Sequence, residues 1–348
     1  MLLEALDQAL AARTAAGLSR RRRVVESACG PRLRVEGREL LAFGANDYLG
    51  LAAHPRLIAA VQEAVAAWGV GAGAAHLLTG HYAVHEDLER ELAAWVGMPR
   101  ALAFSTGYMA NIGIIPALVG REDAVFLDRL DHACLYDGAA LTRAAVERYA
   151  HNDVGDLARR LAATPARRRL IATDAVFSMD GDLAPLPELL ELAERHDAWL
   201  LVDDAHGFGV LGQGRGTLQE WGLASPRLIY MGTLGKAAGV FGAFVAGAVN
   251  LIETLLQAAR SYVFTTASPP AFAAAACTSL ALLREEPERR EVLRARIAQL
   301  REGLAGTHWP LAPSTTAIQP LLVGDNGAAL ALSQALWDAG FWVPAIRP

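Results

Sequence analysis

The sequence is poor in cysteine, with Cys29, Cys134 and Cys277 as three scattered thiols in 348 residues. An odd, widely spaced set argues against a disulfide framework, and with no CxxC pair a structural zinc site is not expected either. Long apolar runs are also missing. Hydrophobic residues make up 53% of the chain, yet every run of membrane-spanning length is broken by a glycine, a proline or a charge, so no membrane partner is expected. The first residues carry Glu4 and Asp7 where a secretory leader has a positive start, which predicts a cytoplasmic protein. Excess positive charge is absent too. The net charge is -5, and the one basic cluster is the run of arginines 20–23, too short for a nucleic-acid footprint and better suited to a solvated helix end or an anion contact. Internal repeats and low-complexity tracts are absent.

The length is sufficient for two lobes. An N-terminal arm (1–45) begins with an amphipathic helix over 1–14, followed by short apolar pieces at 33–35 and 40–43. Helices are expected over 55–68 and 84–96, with a glycine-rich loop between them. Apolar strands then alternate with helices: strands over 101–104, 124–127, 146–149, 170–173, 199–202, 227–231 and 241–246, helices over 106–118, 135–143, 153–163 and 187–196. This alternation predicts an α/β fold with a mainly parallel sheet covered by helices on both faces. Helices over 269–283, 288–304 and 328–339 and strands over 318–323 and 341–346 predict a smaller α+β domain. The expected division is an arm to residue 45, a large domain over 46–265 and a small C-terminal domain over 266–348.

Ligands of such sheets sit beyond the carboxyl ends of the strands. There the sequence Thr233-Leu-Gly-Lys236-Ala-Ala-Gly239 places one lysine in an apolar, glycine-lined run, the only formal charge between Arg227 and Glu253. Desolvation lowers the pKa of such a lysine and frees its amine for Schiff-base chemistry. Asp203, in Asp203-Asp-Ala-His206-Gly207, ends the preceding strand. Strand alternation turns Asp203 and Asp204 to opposite sides, so one can meet a ligand while the other bonds locally. A lysine, a carboxylate and a nearby histidine are what pyridoxal 5'-phosphate requires: an imine, a partner for the pyridine nitrogen, and a hydrogen bond to the phenolic oxygen. Ser105-Thr-Gly107-Tyr108 opens a helix directly after a strand, where unpaired N–H groups suit a phosphate. His132 and Ser178 also follow strands; a structural histidine and a turn hydroxyl are the plainer alternatives. Gly207-Phe-Gly209-Val-Leu-Gly212 matches the dinucleotide pattern GxGxxG, but Asp203 to His206 intervene and no helix is expected to follow, so a glycine-rich loop is the reading taken.

Together with Asn46-Asp-Tyr-Leu-Gly-Leu51, His151-Asn-Asp153, Val176-Phe-Ser-Met-Asp-Gly-Asp182, Ala317-Ile-Gln-Pro-Leu-Leu-Val-Gly-Asp-Asn326 and Ala345-Ile-Arg-Pro348, these motifs resemble the α-oxoamine synthase family of fold-type-I pyridoxal phosphate enzymes, from about Arg20 to the last residue. The resemblance implies a PLP-dependent transferase-like fold with a seven-stranded sheet. It implies that Lys236 holds the cofactor, Asp203 faces the pyridine nitrogen, His206 and Ser178 bond the phenolic oxygen, and His132 stacks on the ring. It also implies that Gly107, Tyr108 and Thr233 hold the phosphate, that Thr265 and Thr266 reach the phosphate of a neighbouring subunit in a homodimer with shared active sites, and that Asn46 and Arg20 or Arg21 lie near the substrates. Within the family, the motifs are most similar to the branch that condenses L-alanine with pimeloyl-CoA, or with a pimeloyl-carrier protein, in biotin biosynthesis. Glycine-using and long-chain acyl branches, and a non-catalytic homologue, stand as alternatives. The resemblance further implies a strand with a carboxylate-gripping arginine beyond Pro348, so the small domain is expected to be incomplete.

Overall fold

The computed structural model of the chain describes residues 2–347; Met1, where the expected first helix starts, and Pro348, the last residue of the Ala345 motif, lie outside them. Seven strands form the central sheet: β3 (Arg100–Phe104), β4 (Ala124–Asp128), β5 (Ala145–Tyr149), β6 (Arg169–Asp174), β7 (Ala198–Asp203), β8 (Leu228–Thr233) and β9 (Ala243–Gly247), in the order β3-β9-β8-β7-β6-β4-β5. The pairs β5–β4, β4–β6, β6–β7 and β7–β8 are parallel, and β9 runs antiparallel to both neighbours. Every residue of β4, β8 and β9 is buried, as continuous apolar strands covered on both faces must be. Side-chain alternation divides the core into two layers. Phe126, Ile171, Leu200, Val202 and Phe244 pack with helices Pro55–Trp68, Ala83–Val96, Leu186–Arg195 and Pro270–Glu285. Val125, Leu127, Leu170, Leu201 and Val245 pack with helices Gly107–Leu118 and Val249–Ala258 on the other face.

A second, three-stranded sheet joins the two ends of the chain. Strands β1 (Arg32–Val35) and β2 (Arg38–Ala42) form a hairpin, and β10 (Phe341–Trp342) adds in parallel to β2, pairing Phe341 with Leu41. Trp337 is buried here among Leu33, Val35 and Leu40, with the Arg23 guanidinium 3.6 Å from the centre of its ring.

Two expected strands are corrected. Residues 318–323 form no strand; one bridge, Leu311 to Leu321, is all that the segment makes. Pro320 removes a ladder donor in its middle. The expected strand over 341–346 stops at Trp342, two residues before Pro344, for the same reason. The first helix, Leu2–Ala15, buries none of its residues; Leu2, Leu3, Leu6 and Leu10 are all exposed. The expected division at 265/266 falls just before helix Pro270–Glu285, whose Ala273, Ala276 and Leu280 belong to the large core. Among the described residues, no helix is long and apolar enough to cross a membrane.

Candidate active site

The carboxyl ends of β4, β6, β7 and β8 and the start of helix Gly107–Leu118 surround a cavity of about 130 Å³. Gly107, Tyr108, His132, Ser178, Asp203, His206, Thr233 and Lys236, all expected from the sequence, line it, together with Cys134, Asp174, Ala205 and Met231. The distant segments converge because parallel strands present their carboxyl ends on one rim.

Lys236 sits in the turn between β8 and β9. Its backbone is held by bonds from Leu234 N to Gly242 O and from Gly239 N to Lys236 O, both 2.8 Å. Gly239 has φ 68°, and a Cβ there would lie 2.5 Å from Ala52 N, so only glycine lets the turn seat against the Asn46–Leu51 segment. Burial lowers the Lys236 pKa, partly offset by the negative charges of Asp203 and Asp174. The chain contains no other lysine: its remaining basic side chains are arginine and histidine. That compositional signal alone would have singled out Lys236.

Asp203 and Asp204 diverge as strand alternation requires. Asp203 Oδ2 accepts from Asn111 Nδ2 at 2.7 Å and its Oδ1 from Ala205 N at 3.0 Å. Burial raises the Asp203 pKa, opposed first by Lys236 and then by these two donors. Asp204 turns away from the cavity to Thr217 and Tyr230 and anchors the glycine-rich loop; burial pushes its carboxyl up to about 6. The GxGxxG segment is indeed a loop, with Gly209 and Gly212 at positive φ, followed by a single 3-10 turn over Gly212–Gly214 and the four-residue helix Thr217–Glu220.

His132 caps helix Ala133–Ala140, its Nδ1 accepting from Cys134 N at 3.2 Å, while its own N–H donates to Asp174 Oδ2 at 2.9 Å. Asp174 N in turn donates to Asp131 Oδ1 at 3.0 Å. Burial pushes both carboxyls up; the charge of Asp203 adds to this at Asp174, and that of Asp174 at Asp131. His206 Nδ1 lies 2.7 Å from the Tyr48 hydroxyl, which also reaches Asn46 Oδ1 at 3.3 Å. Burial, then the Lys236 charge, lowers His206 to about 3, and burial raises the Tyr48 phenol, so both stay neutral and the hydroxyl proton can serve the imidazole nitrogen. At the helix that closes the cavity, Thr106 Oγ1 caps Gly107–Leu118 by accepting from Met109 N at 3.1 Å. The Thr233 hydroxyl is engaged within its own turn, donating to Gly242 O and accepting from Gly235 N. Tyr108 donates its hydroxyl to Asp137 at 2.7 Å.

Ser178 and His206 also line a larger adjoining cleft of about 580 Å³, and Asn46 and Tyr48 stand in its wall with the apolar side chains Ile318, Leu321, Leu332 and Leu336. Four expected residues are not brought to either cavity. Thr265 is half-buried and Thr266 exposed; Arg20 is exposed, and Arg21 pairs with Glu36 at 3.2 Å. The sequence reading missed Cys134 and Asp174, which line the smaller cavity, Tyr48, which stands in the wall of the larger cleft, and Asn111, which is buried behind Asp203. A second cluster, His76, His81 and His85, brings its nitrogens within 4.8 Å of one another. Its bonds stay within the protein: His76 Nδ1 to His81 Nδ1 at 2.8 Å, His81 Nε2 to Glu86 at 3.2 Å, and His85 to Tyr82 N and Ser268 O.

Residues 38–348 match the aminotransferase class I and II family. The chain is 61% identical to an 8-amino-7-oxononanoate synthase of Aromatoleum aromaticum, over 100% of this chain and 90% of the relative. Among solved structures it superposes on a serine palmitoyltransferase from S. paucimobilis with a bound PLP–myriocin aldimine, at TM-score 0.92 and 34% identity over 98% of this chain and 90% of that one. It also superposes on an 8-amino-7-oxononanoate synthase from Francisella tularensis, at TM-score 0.77 and 29% identity over 89% of each.

Proposed function

Because the chain belongs to the class I and II aminotransferase family, and within it to the 8-amino-7-oxononanoate synthases, we propose that its cavity condenses L-alanine with pimeloyl-CoA, or with pimeloyl-carrier protein, in biotin biosynthesis. The products are 8-amino-7-oxononanoate, carbon dioxide and the free thiol. The observation that carries this reading is the convergence of Lys236, Asp203, His132 and His206 on one cavity. The donor set fits pyridoxal phosphate: an amine of lowered pKa, a buried carboxylate with both oxygens held, and a capped helix start beside Gly107 for the phosphate.

When bound, pyridoxal phosphate supplies the electron sink for the amino acid's Cα. Lys236 would hold the cofactor, and its amine, of lowered pKa, would take the Cα proton of alanine. Asp203 would face the pyridine nitrogen, its two oxygens oriented by Asn111 and Ala205 N. His132 would cover one ring face, and Ser178 and His206 would direct hydrogen bonds at the phenolic oxygen; with Tyr48 donating to its Nδ1, His206 would offer Nε2–H. The N–H groups of Gly107 and Tyr108, with Thr233, would hold the phosphate. Over the reaction, the Cα–H and Cα–carboxylate bonds break, a bond forms from Cα to the acyl carbon, the thiol leaves, and a proton returns to Cα. The adjoining cleft, with Asn46 in its wall, receives the acyl chain. Thr265 and Thr266, which line neither cavity, reach the phosphate of a second subunit in a homodimer.

The test is thiol release from pimeloyl-CoA with pyridoxal phosphate and L-alanine, glycine or L-serine. Release with alanine alone supports the proposal. Release only with glycine or serine moves the chain to another amino-acid branch, and release with none of the three overturns the reading.

A further inference from the structure

Cys134 takes no part in this chemistry, yet its sulfur lies at the cavity wall between His132 and Asn111. The Nδ1 of His132 faces two groups of Cys134: the backbone N at 3.2 Å and Sγ at 2.8 Å. A backbone N–H can only donate, so Nδ1 carries a lone pair and the ring proton sits on Nε2. The thiol has one proton and two acceptors in reach, and the nitrogen at 2.8 Å takes it in preference to Asp203 Oδ2 at 4.0 Å, which makes the thiol the second donor to the same nitrogen. Burial, reinforced by the charge of Asp203, raises the pKa of this thiol, so it keeps the proton it donates. The sulfur itself accepts from Asn111 Nδ2 at 3.1 Å, and that amide also donates to Asp203 Oδ2 at 2.7 Å. Asn111 and Cys134 are 0% and 2% exposed, so water does not compete for these bonds.

We propose that Cys134 is a positioning residue: its S–H donates to His132 Nδ1, holds the imidazole plane against the cavity, and links that ring through Asn111 to Asp203. The helix cap alone leaves the ring free to rock about a single N–H; a second donor from the side chain fixes its tilt. The inference rests on the reading of the cavity as a pyridoxal phosphate site. Serine at 134 retains a donor in nearly the same place, whereas alanine removes it.

The experiment compares Cys134→Ala and Cys134→Ser with the unaltered protein. Three readouts are taken: pyridoxal phosphate affinity, visible circular dichroism of the bound cofactor, and nitrogen-15 NMR of His132 in the cofactor-free protein, assigned with a His132→Gln variant. Losing one neutral hydrogen bond should weaken cofactor retention about fivefold in Cys134→Ala, while Cys134→Ser stays within about twofold. The dichroism should change in the alanine variant and recover in the serine variant. The serine variant should unfold at no higher temperature than the alanine variant, since it buries a hydroxyl in a site shaped for sulfur, so its recovery cannot be a stability effect. Equal impairment of both variants, or none in Cys134→Ala, overturns the proposal. So does an Nδ1–H tautomer for His132 in the cofactor-free protein. None of these readouts requires turnover, so failure of the thiol-release assay would strike the proposed reaction and leave this test standing.

Discussion

Lys236 is the only ε-amine in the chain, which makes its ionisation directly measurable. The rate of acylation of the cofactor-free protein by an amine reagent should follow a single ε-amine titration with a midpoint below the ordinary 10.5, because burial disfavours the ammonium more than Asp203 and Asp174 favour it. Peptide mapping separates this signal from the N-terminus. A midpoint at or above 10.5 would mean that the carboxylates win and that the amine is not poised for imine chemistry. Much of the site at this scale was readable from residue order. Lys236, Asp203, His206 and His132 each stand just beyond an apolar strand, and strand alternation separated Asp203 from Asp204 correctly. Asn111, Cys134 and Asp174 were not readable. Asn111 meets Asp203 across 92 residues from inside a helix, where only the fold, and no local spacing, makes the pair.

Helix Ala83–Val96 carries a buried carboxyl with a separate consequence. Glu89 accepts from Ala103 N at 2.8 Å, tying the helix to β3, and burial pushes its pKa from the ordinary 4.5 up to about 8. The folded chain therefore holds a proton that the unfolded chain releases between these values. This stability is fully present below pH 4.5 and is lost as pH rises toward about 8. Glu89→Gln keeps an acceptor for Ala103 N and removes the titration. Its unfolding free energy should gain on that of the unaltered chain from pH 5 to pH 8, as urea denaturation at several pH values will read; parallel profiles would reject the buried neutral carboxyl. The elements of the large sheet were legible in the apolar periodicity, but the order in which its strands pair was not, because β9 and β3 meet across the sheet from distant parts of the chain. The segment 318–323 was misread because its apolar run satisfies the pattern while Pro320 and the absence of a paired neighbour deny it a ladder.

At the scale of the whole molecule, the proposed sharing of active sites between two subunits predicts complementation. Lys236→Ala subunits should release no thiol, and subunits carrying both Thr265→Ala and Thr266→Ala should retain cofactor poorly. Co-expressed and isolated as mixed dimers, the two should regain activity, since one of the two sites then combines an intact lysine with intact threonines. Mixed dimers as inactive as their parents would place each site within one subunit. The small sheet carries a different lesson, about time. Its pairing of Leu41 with Phe341 spans 341 − 41 = 300 residues. During synthesis at about 5–20 residues per second, the β1–β2 hairpin waits roughly 15–60 s before β10 exists. Through that interval β2 presents an unpaired edge, the kind of surface that recruits foreign strands. The nascent chain is thus vulnerable to misassembly at β2, and the strand that covers this edge is made long after it.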